Sequence, residues 1–435
     1  MGEKTNKMSE VELLTRKGQI RAYILAGGFG KRLGRVTDHA TNIRAVAKPA
    51  VPVGSCRAID YSLRSLVGVG VKKVDICVGY LSESLKGQRE GLSPFDLEIN
   101  FHYWRQESPT HTLGTIVHRL FTEDQPTSDD GVILVLYGDI VHNIDLRPAI
   151  EEHIRQEADA TIVVNPFIDY TRSKATSLVL GGMPDSEEGS SAAQVKEAQK
   201  GWITNNYNKA HAVIKMGERV ACQEGIGCLS MSSMFIFRYG FLNKIKAQVV
   251  GFNERRLFDD SDTGQGQTVF SGFGSVFSWL TNTGAGRENR FFAYIAPPET
   301  YCVDIGLFET LKLANADFLA GRFDAGVDIF RQFQLPPQER IYIGENTVIS
   351  SSAKIVGPTY IGENVVIEDE VEITRSVIRE GNRIRKGAII RESVLFPQNY
   401  DSRGGHVIGE GVRLSEVIYT GGEIPKDAHY SCRLC

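Results

Sequence analysis

The sequence has no excess of basic residues and no long apolar run, and each absence excludes a class of protein. Lysine and arginine total 49 against 53 acidic residues, a formal net charge of -4. Nucleic acid is therefore not expected as a partner, because its binding usually needs a strongly basic face. No stretch approaches the roughly 20 apolar residues of a membrane span. We therefore expect no membrane partner either.

An export signal and a cysteine framework are also missing. The first residues, MGEKTNKMSEVELL, contain no apolar signal core, so we expect the protein to be cytoplasmic. The 7 cysteines are odd in number and scattered, which fits a reducing compartment. Cys432 and Cys435 form a single C-x-x-C near the C-terminus. One such pair without a second is expected to be a free tail rather than a metal site.

Two familiar phosphate-binding motifs are absent as well. A dinucleotide-binding loop reads G-x-G-x-x-G, but counting from Gly28 the last position is Leu33. A P-loop needs Ser or Thr after its lysine, but Lys31 is followed by Arg32. A glycine-rich segment in this chain must therefore belong to a third type of loop.

That segment is YILAGGFGKRL, from Tyr23 to Leu33, where an apolar strand-like run ends in glycines and cations. Without a Cβ, these glycines allow the backbone to approach a phosphate closely. The cations that can neutralise phosphate charge are Lys31, Arg32 and, after a gap, Lys48 in Ala47-Lys48-Pro49, although Lys31 is expected to be a solvated side chain. The pattern predicts an anion-binding loop at the start of an α/β domain.

Alternating strand and helix patterns follow this loop. The strand candidates are Tyr23–Ala26, Lys73–Val78, Gly131–Tyr137 and Ala160–Val164, and the helix candidates are Ala58–Val67 and Leu146–Glu157. Such alternation predicts a mostly parallel, Rossmann-like sheet, whose ligands bind at the carboxyl ends of the strands. A further helix is expected after Asp304. The segment from Gly181 to Gly201 is interpreted as a polar insertion or mobile loop, and Asp259 to Asn289 as a second poorly defined region.

A period of six residues marks the C-terminal part. Isoleucine recurs at 343, 349, 355, 361, 367 and 373, and after one slip at 378, 384 and 390, with Ile408 and Leu414 later. This spacing is typical of a hexapeptide-repeat, left-handed parallel β-helix in which each isoleucine fills the interior. We expect the coils to serve stability and homo-oligomer assembly. An acyltransferase site between coils usually needs a histidine, and the repeat region offers only His406.

These patterns suggest four parts within the 435 residues. They are an N-terminal lead-in over 1–19, an α/β domain over 20–320, a linker over 321–340, and a β-helix domain with its tail over 341–435.

The loop and the coils together resemble the sugar-1-phosphate nucleotidyltransferases, most closely the bacterial glucose-1-phosphate adenylyltransferase (ADP-glucose pyrophosphorylase) branch. The likeness spans about residues 20–400. It rests on LAGGFGKRL, on AKPAVPVGSCRAIDYSL from Ala47, on YCVDIGLFETLKLANADFL from Tyr301, and on the coils. In this family a sugar phosphate oxygen attacks the α-phosphorus of a nucleoside triphosphate and pyrophosphate leaves. The resemblance therefore implies a nucleoside triphosphate and a sugar or cyclitol 1-phosphate as substrates.

The resemblance also implies roles for individual residues. Arg32 would neutralise the leaving pyrophosphate, and Lys48 would contact the α-phosphate. Asp139 and Asp304 would hold Mg²⁺, which prefers oxygen ligands; a helix cap or turn role is the alternative for each. The nucleotide would bind at Leu25, Gly27, Gly28, Gly30, Gly114 and Thr115, although a plain turn is an equal alternative for the last two. Lys215 and Ser233 are the candidate contacts to the sugar phosphate.

Several positions depart from the pattern of this branch. Gly79 replaces the usual glutamine, and residues 111–113 replace an aromatic pair and an arginine. The glutamate-lysine pair that grips the sugar is not recognisable. Three functions stay open: a glucose-type enzyme using ATP, a guanylyltransferase acting on another sugar or a cyclitol 1-phosphate, and a non-catalytic regulatory subunit. The third often loses the arginine, the lysine or an aspartate that this chain retains.

Overall fold

The computed structural model describes most of the chain: residues 9–38, 45–86, 97–103, 116–117, 119–121, 126, 128–166, 176–181, 192–218, 229–249, 273–282, 288–323, 336, 339–397 and 407–434. The helices within these ranges are α1 (Glu10–Arg16), α2 (Ala58–Val69), α3 (Glu83–Lys86), α4 (Arg147–Arg155), α5 (Ala192–Thr204), α6 (Tyr239–Ile245), α7 (Phe273–Asn282) and α8 (Phe308–Leu319). Short 3₁₀ helices cover Lys31–Val36, Lys48–Ala50 and Lys246–Gln248. None of the helices in these ranges has the length and apolarity needed to cross a membrane.

The strands up to residue 304 belong to the N-terminal part. They are β1 (Ile20–Ala26), β2 (Pro52–Val53), β3 (Cys56–Arg57), β4 (Lys73–Val78), β5 (Glu98–Tyr103), β6 (Val132–Tyr137), β7 (Ile140–His142), β8 (Ala160–Pro166), β9 (Thr176–Leu180), β10 (Ala210–Glu218), β11 (Leu229–Arg238), β12 (Phe291–Ile295) and β13 (Cys302–Asp304). The strands and helices predicted between residues 20 and 168 are all confirmed, with boundaries shifted by a few residues.

Nine strands form the main sheet, in the order β5-β4-β1-β6-β11-β8-β12-β10-β9. The pairings make β10 and β11 antiparallel to their neighbours, while the other strands run in one direction. Alternate residues of β1 point to opposite faces. Ile24 packs into a core with α2, whereas Tyr23 and Leu25 pack into a second core with α7. Two covered faces explain why the strands are apolar throughout.

Helices lie in two segments, of which the first was interpreted as a polar insertion or mobile loop and the second as poorly defined. Part of the Gly181–Gly201 segment forms α5, whose alanine, glutamine, lysine and glutamate residues are good helix formers despite their polarity. Ile203 is fully buried and anchors this helix. Within the second segment, α7 places Phe273 and Phe277 in the core. The loop prediction was wrong for α5 because a polar composition is typical of the exposed face of a helix as well as of a loop.

The C-terminal strands are short and wind through successive coils. They are β14 (Ile341–Ile343), β15 (Val348–Ile349), β16 (Lys354–Val356), β17 (Thr359–Ile361), β18 (Val366–Ile367), β19 (Glu372–Thr374), β20 (Val377–Ile378), β21 (Arg383–Ile384), β22 (Ile389–Arg391), β23 (Val394–Leu395), β24 (Val407–Ile408), β25 (Arg413–Tyr419), β26 (Glu423–Ile424) and β27 (His429–Leu434). Every third strand pairs in parallel, as β14 does with β17 and β17 with β20. The predicted fold class, a Rossmann-like domain followed by a left-handed parallel β-helix, is confirmed.

The hexapeptide isoleucines fill the interior of the coils, with one exception at the beginning. Those from Ile361 onward are 0–1% exposed, but Ile343 is 49% exposed and Ile349 and Ile355 are only half-buried. The prediction that each isoleucine fills the interior was therefore wrong for the first coil. A terminal coil has a neighbour on one side only, so its side chains cannot be covered from both directions.

Candidate active site

The glycine-rich loop and the ends of two core strands surround a cavity of about 670 Å³. The cavity opens at the carboxyl edge of β1 and β6, where parallel sheets bind their ligands. Its lining residues are Leu25, Ala26, Gly27, Gly28, Phe29, Gly30, Lys31, Arg32, Lys48, Pro49, Tyr137, Asp139 and Gly306. Seven of the residues predicted for the site thus lie together on one cavity wall.

The conformation of Gly30 and a hydrogen bond from Thr37 shape the glycine-rich loop. Gly30 has φ +61°, in the left-handed region that favours glycine, and its carbonyl accepts a 2.8 Å hydrogen bond from Thr37 Oγ1. A Cβ at Gly30 would lie 3.0 Å from Thr37, whereas a Cβ at Gly28 would meet nothing within 4 Å. Gly28 therefore leaves room beside the backbone for a ligand, while Gly30 shapes the turn.

Strand pairing brings the two predicted metal ligands together. Asp139 follows β6, and the intervening Gly138 donates a 2.9 Å hydrogen bond to the carbonyl of Leu25. β13 pairs antiparallel with β7, which places Asp304 opposite Ile140. The two carboxylates, far apart in sequence, consequently lie at the same edge of the sheet.

A buried histidine supports the strand that carries this pairing. His142 on β7 contacts Ser62 Oγ and Ser65 Oγ of α2 at 3.3 and 3.4 Å. Burial lowers the pKa of His142 to about 3, so the ring is neutral. Its Nδ1 accepts a hydrogen bond from the amide of Ile144, which assigns the proton to Nε2. The network fixes β7 against α2 without adding a charge near the cavity.

Lys48 joins the two carboxylates. Its Nζ lies 2.6 Å from Asp139 Oδ2 and 2.8 Å from Asp304 Oδ1, and its side chain is only 9% exposed. Burial by itself would lower the pKa of Lys48, but the two carboxylates outweigh burial and raise it. Burial would raise the pKa of Asp304, but Lys48 and, more weakly, Arg32 hold it below its usual value. Lys48 and Asp304 are therefore both charged at neutral pH.

Arg32 lies at the more exposed side of this cluster. Its Nη2 is 3.6 Å from Asp304 Oδ2, and its side chain is 51% exposed. The guanidinium therefore keeps free donors toward the cavity. Its planar donor set suits phosphate oxygens.

A nucleotidyltransferase family matches this part of the chain. The family model described as "Nucleotidyl transferase" matches residues 21–174, which include the glycine-rich loop, Lys48 and Asp139. Residues 21–174 are therefore similar to the nucleotidyl transferase family. The matched range includes β1 and β6, which form the cavity wall.

Similarity to curated proteins extends through the coils. A glucose-1-phosphate adenylyltransferase of Clostridium perfringens is 26% identical over 406 residues, covering 88% of this chain and 85% of the relative. Glucose-1-phosphate adenylyltransferase 2 of Vibrio cholerae is 26% identical, covering 91% of this chain and 88% of the relative. A Vibrio vulnificus protein of the same name is 34% identical over 154 residues, or 33% of this chain and 36% of the relative. The predicted resemblance to the glucose-1-phosphate adenylyltransferase branch is confirmed.

The donor set of this cavity fits a divalent cation. Asp139 Oδ1 is buried and has no hydrogen-bond partner among the residues that the structure describes, although Oδ2 accepts a hydrogen bond from Lys48. A buried oxygen left without a donor is costly, so a ligand that satisfies it would stabilise the site. Asp139 and Asp304 converge on one cation, the Lys48 ammonium, and together offer the carboxylate oxygens that Mg²⁺ prefers. The described residues contain no group of three or more His, Cys, Asp or Glu side chains that could hold a metal ion by themselves. Phosphate oxygens would have to complete the coordination.

The remaining predicted residues lie elsewhere or outside the described ranges. Gly114 and Thr115 fall outside the residues that the structure describes. Lys215 is on β10, where its backbone pairs with Val179 of β9.

Ser233 lies on β11, one residue beyond the Met234–Leu136 pair and therefore beside the end of β6. Its φ is +56°, at the point where the register between β11 and β8 shifts. Ser233 is thus near the cavity edge, whereas Lys215 is on a strand four places away from β6.

Gly306 is a residue of the site that sequence reasoning missed. Its amide donates a 2.7 Å hydrogen bond to Asp304 Oδ1. A Cβ there would lie 2.8 Å from Arg32 Nη2, 2.9 Å from Asp304 Oδ1 and 3.0 Å from Lys48 Nζ. Only glycine allows these three charged groups to converge. The signal was present in the sequence as a glycine two residues after Asp304.

Tyr137 was also missed. It lines the cavity directly before the Gly138 turn, and its ring packs against Phe235. Burial, followed by the charge of Asp139, raises the pKa of its phenol to about 12, so it stays a neutral donor. An apolar strand that ends in an aromatic residue gives no indication of which face that residue takes.

Proposed function

We propose that this chain joins a nucleoside triphosphate to a sugar 1-phosphate, giving a nucleotide-sugar and pyrophosphate, with ATP and glucose 1-phosphate as the first pair to test. The observation that carries the proposal is the cluster of Lys48, Asp139 and Asp304, with Arg32 beside it, on the wall of a cavity formed by a glycine-rich loop. The names of the relatives support sugar-1-phosphate nucleotidyl transfer. They are too distant to fix the base or the sugar.

The reaction needs orientation and charge neutralisation more than a proton-transfer group. A phosphate oxygen of the sugar phosphate forms a bond to the α-phosphorus, and the bond from that phosphorus to the pyrophosphate oxygen breaks. Attacking and leaving oxygens are both anionic, so no proton has to move at neutral pH. Rate enhancement therefore depends on cations that hold the phosphates in line and on a fixed geometry.

Two side chains supply these positive charges, Lys48 from a buried position and Arg32 from a half-exposed one. Lys48 is buried and fixed by two carboxylates, so it would contact the α-phosphate, where charge develops as the bond forms. Arg32 is half exposed and would bind the oxygens of the leaving pyrophosphate. The open face beside Gly28 would admit the nucleotide close to the backbone.

Asp139 and Asp304 would hold Mg²⁺, with the otherwise unpartnered Asp139 Oδ1 as one ligand. When bound, this ion would neutralise charge on the phosphate oxygens. Lys48 already occupies the position between the two carboxylates, so these residues are preorganised around a positive charge.

The test is a pyrophosphate-release screen. It pairs ATP, GTP, UTP, CTP and dTTP with a panel of sugar and cyclitol 1-phosphates, with mass identification of the nucleotide-sugar. Release should require both substrates and should disappear in Arg32→Ala, while Lys31→Ala, in the same loop, serves as the matched control. Failure of every pair to release pyrophosphate above the Arg32→Ala background would refute the proposal and favour a non-catalytic role.

A further inference from the structure

Arg379 of the β-helix reaches into the N-terminal part of the chain. It follows β20, is 5% exposed, and pairs with Glu380 through Nε and Nη2 at 2.5 and 2.6 Å. Its remaining nitrogen, Nη1, donates to the carbonyls of Gly54 and Cys56 at 3.1 and 3.2 Å. The buried guanidinium donates its remaining hydrogen bonds to two backbone carbonyls, so it fixes the position of the backbone at Gly54 and Cys56.

The two carbonyls belong to a tight hairpin formed by β2 and β3. Its turn includes Gly54, which has φ +57°, and a Cβ at that position would lie 2.4 Å from the ring of Phe318. The amide of Gly54 donates a 2.9 Å hydrogen bond to Asn315 Oδ1 of α8. The hydroxyl of Tyr61 on α2 donates to the carbonyl of Val53 at 3.0 Å. Three elements thus hold this hairpin: α2, α8 and, through Arg379, the β-helix.

The hairpin directly continues the segment that carries Lys48. The 3₁₀ turn Lys48–Ala50 leads through Val51 into β2, and Val51 accepts a 3.0 Å hydrogen bond from the amide of Ala58 at the start of α2. Because only a few residues separate Lys48 from the hairpin, movement of the hairpin is transmitted to the Lys48 backbone.

The same contact region also leads to Asp304. That residue ends β13 and is followed by α8, which carries both Asn315 and Phe318. Phe318 packs edge to face on Tyr360 of the β-helix, with ring centroids 5.8 Å apart. Both Lys48 and Asp304 are therefore attached to elements that rest against the coils.

We infer that Arg379 is a positioning residue for the proposed reaction: by anchoring the β2–β3 hairpin, it holds the Lys48 segment where the ammonium meets both carboxylates. The inference rests on the proposed function. It assigns the β-helix a part in turnover, in addition to the structural and assembly role that the repeat predicts.

The first test compares kinetics of Arg379→Lys and Arg379→Met in the full-length protein. Lysine keeps a charge beside Glu380 but cannot serve Glu380 and two carbonyls together, and methionine removes all these contacts. A displacement of about 1 Å of a reacting group can cost roughly 100-fold in rate. We therefore expect turnover to fall about 10- to 100-fold, more in Arg379→Met, with a much smaller change in KM for the nucleoside triphosphate.

Lys312→Met is the matched control. Lys312 on α8 forms an ion pair with Glu416 of β25, so it also joins the two parts of the chain, but it is about one-third exposed and its ion-pair partner lies in the coils rather than in the hairpin. It should keep wild-type turnover. An equal loss in Lys312→Met would show that general contact between the two parts matters rather than the anchoring of the hairpin, and would overturn the inference.

A second measurement does not depend on activity. Cys56 lies in the hairpin, is of intermediate burial and forms no disulfide with another described cysteine, so it can be alkylated and quantified by peptide mass spectrometry, with the buried Cys77 and Cys302 as internal references. Loss of the Arg379 anchor should speed alkylation of Cys56 several-fold and leave the other two unchanged. Should Arg379→Met fail to fold, Arg379→Lys decides both measurements.

The outcomes separate the two proposals. Wild-type turnover together with wild-type Cys56 alkylation in Arg379→Lys would overturn the inference. A wild-type protein that releases no pyrophosphate with any substrate pair would instead refute the proposed function and, with it, the role of Arg379 in turnover. The alkylation rates would then decide only whether Arg379 anchors the hairpin.

Discussion

Replacing Lys48 with methionine tests how much the ammonium contributes to stability and turnover by neutralising Asp139 and Asp304. The Lys48 ammonium lies 2.6 Å from Asp139 and 2.8 Å from Asp304. Methionine keeps most of the length of the side chain and removes the charge. Two carboxylates would then face each other without a cation between them.

The expected loss of stability follows from burial. Removing one partner of a fully buried ion pair costs about 3–5 kcal/mol. Asp304 is 41% exposed and can be screened by water, so we expect the free energy of unfolding at neutral pH to fall by about 1–3 kcal/mol. Urea unfolding curves of the wild-type and Lys48→Met proteins measure this difference.

The pH dependence has a defined sign. The folded-state pKa of Asp304 is lowered, so its contribution to stability is present above the ordinary carboxylate pKa and is lost as pH falls through the lowered value. The folded-state pKa of Lys48 is raised, so its contribution is present below the ordinary lysine pKa and is lost as pH rises through the raised value. The variant should be destabilised between these limits. The difference should shrink on acidification, because one carboxylate can then take up a proton.

Magnesium should distinguish the Lys48→Met protein further. In the wild-type protein the ammonium competes with Mg²⁺ for the same carboxylate oxygens, so Mg²⁺ should raise Tm more in the variant. Turnover should nevertheless fall about 100- to 1000-fold, because a preorganised cation is missing. The double variant Lys48→Met/Asp304→Asn relieves the repulsion and should recover stability but not turnover. Unchanged stability in Lys48→Met, or equal Mg²⁺ responses in both proteins, would refute this reasoning.

Four other perturbations test separate parts of the structure. Arg32→Ala should lower turnover by at least about 100-fold in the pyrophosphate-release assay, whereas Lys31→Ala should change it little; equal losses would contradict the separate role of Arg32. Gly306→Ala should lower turnover while thermal melting changes little, because the new Cβ would crowd Arg32, Asp304 and Lys48 at 2.8–3.0 Å. Gly28→Ala should fold normally, because the new Cβ would have no described neighbour within 4 Å, and it should raise KM for the triphosphate. A chain truncated after residue 337 should sediment differently from the full chain, and an identical profile would argue against an assembly role for the coils.

The regular elements were predictable because their signals are local. A short apolar run such as that of β6 indicates a strand buried on both faces, and the isoleucine period of the coils fixes how often a side chain turns inward. The prediction was wrong where burial depends on a neighbour rather than on the period, as at Ile343. It was also wrong at α5, where polar residues form a helix whose inner face is anchored by Ile203.

The site was only partly predictable. The glycine-rich loop, Arg32 and Lys48 lie close in sequence, and their spacing carries the pattern. The convergence of Lys48 with Asp139 and Asp304 spans 91 and 256 residues. Nothing local specifies that β13 pairs with β7 or that Gly306 leaves room for three charged groups.

The sequence by itself therefore determined a glycine-rich phosphate loop, an α/β sheet and a hexapeptide β-helix, because periodic burial and turn chemistry act over a few residues. Only the tertiary structure decided which charged groups meet. The ion cluster depends on the register of distant strands, and the contact between Arg379 and the hairpin, 325 residues away from Gly54, depends on how the coils pack against α8. Such contacts are set by packing between surfaces, which no local pattern records.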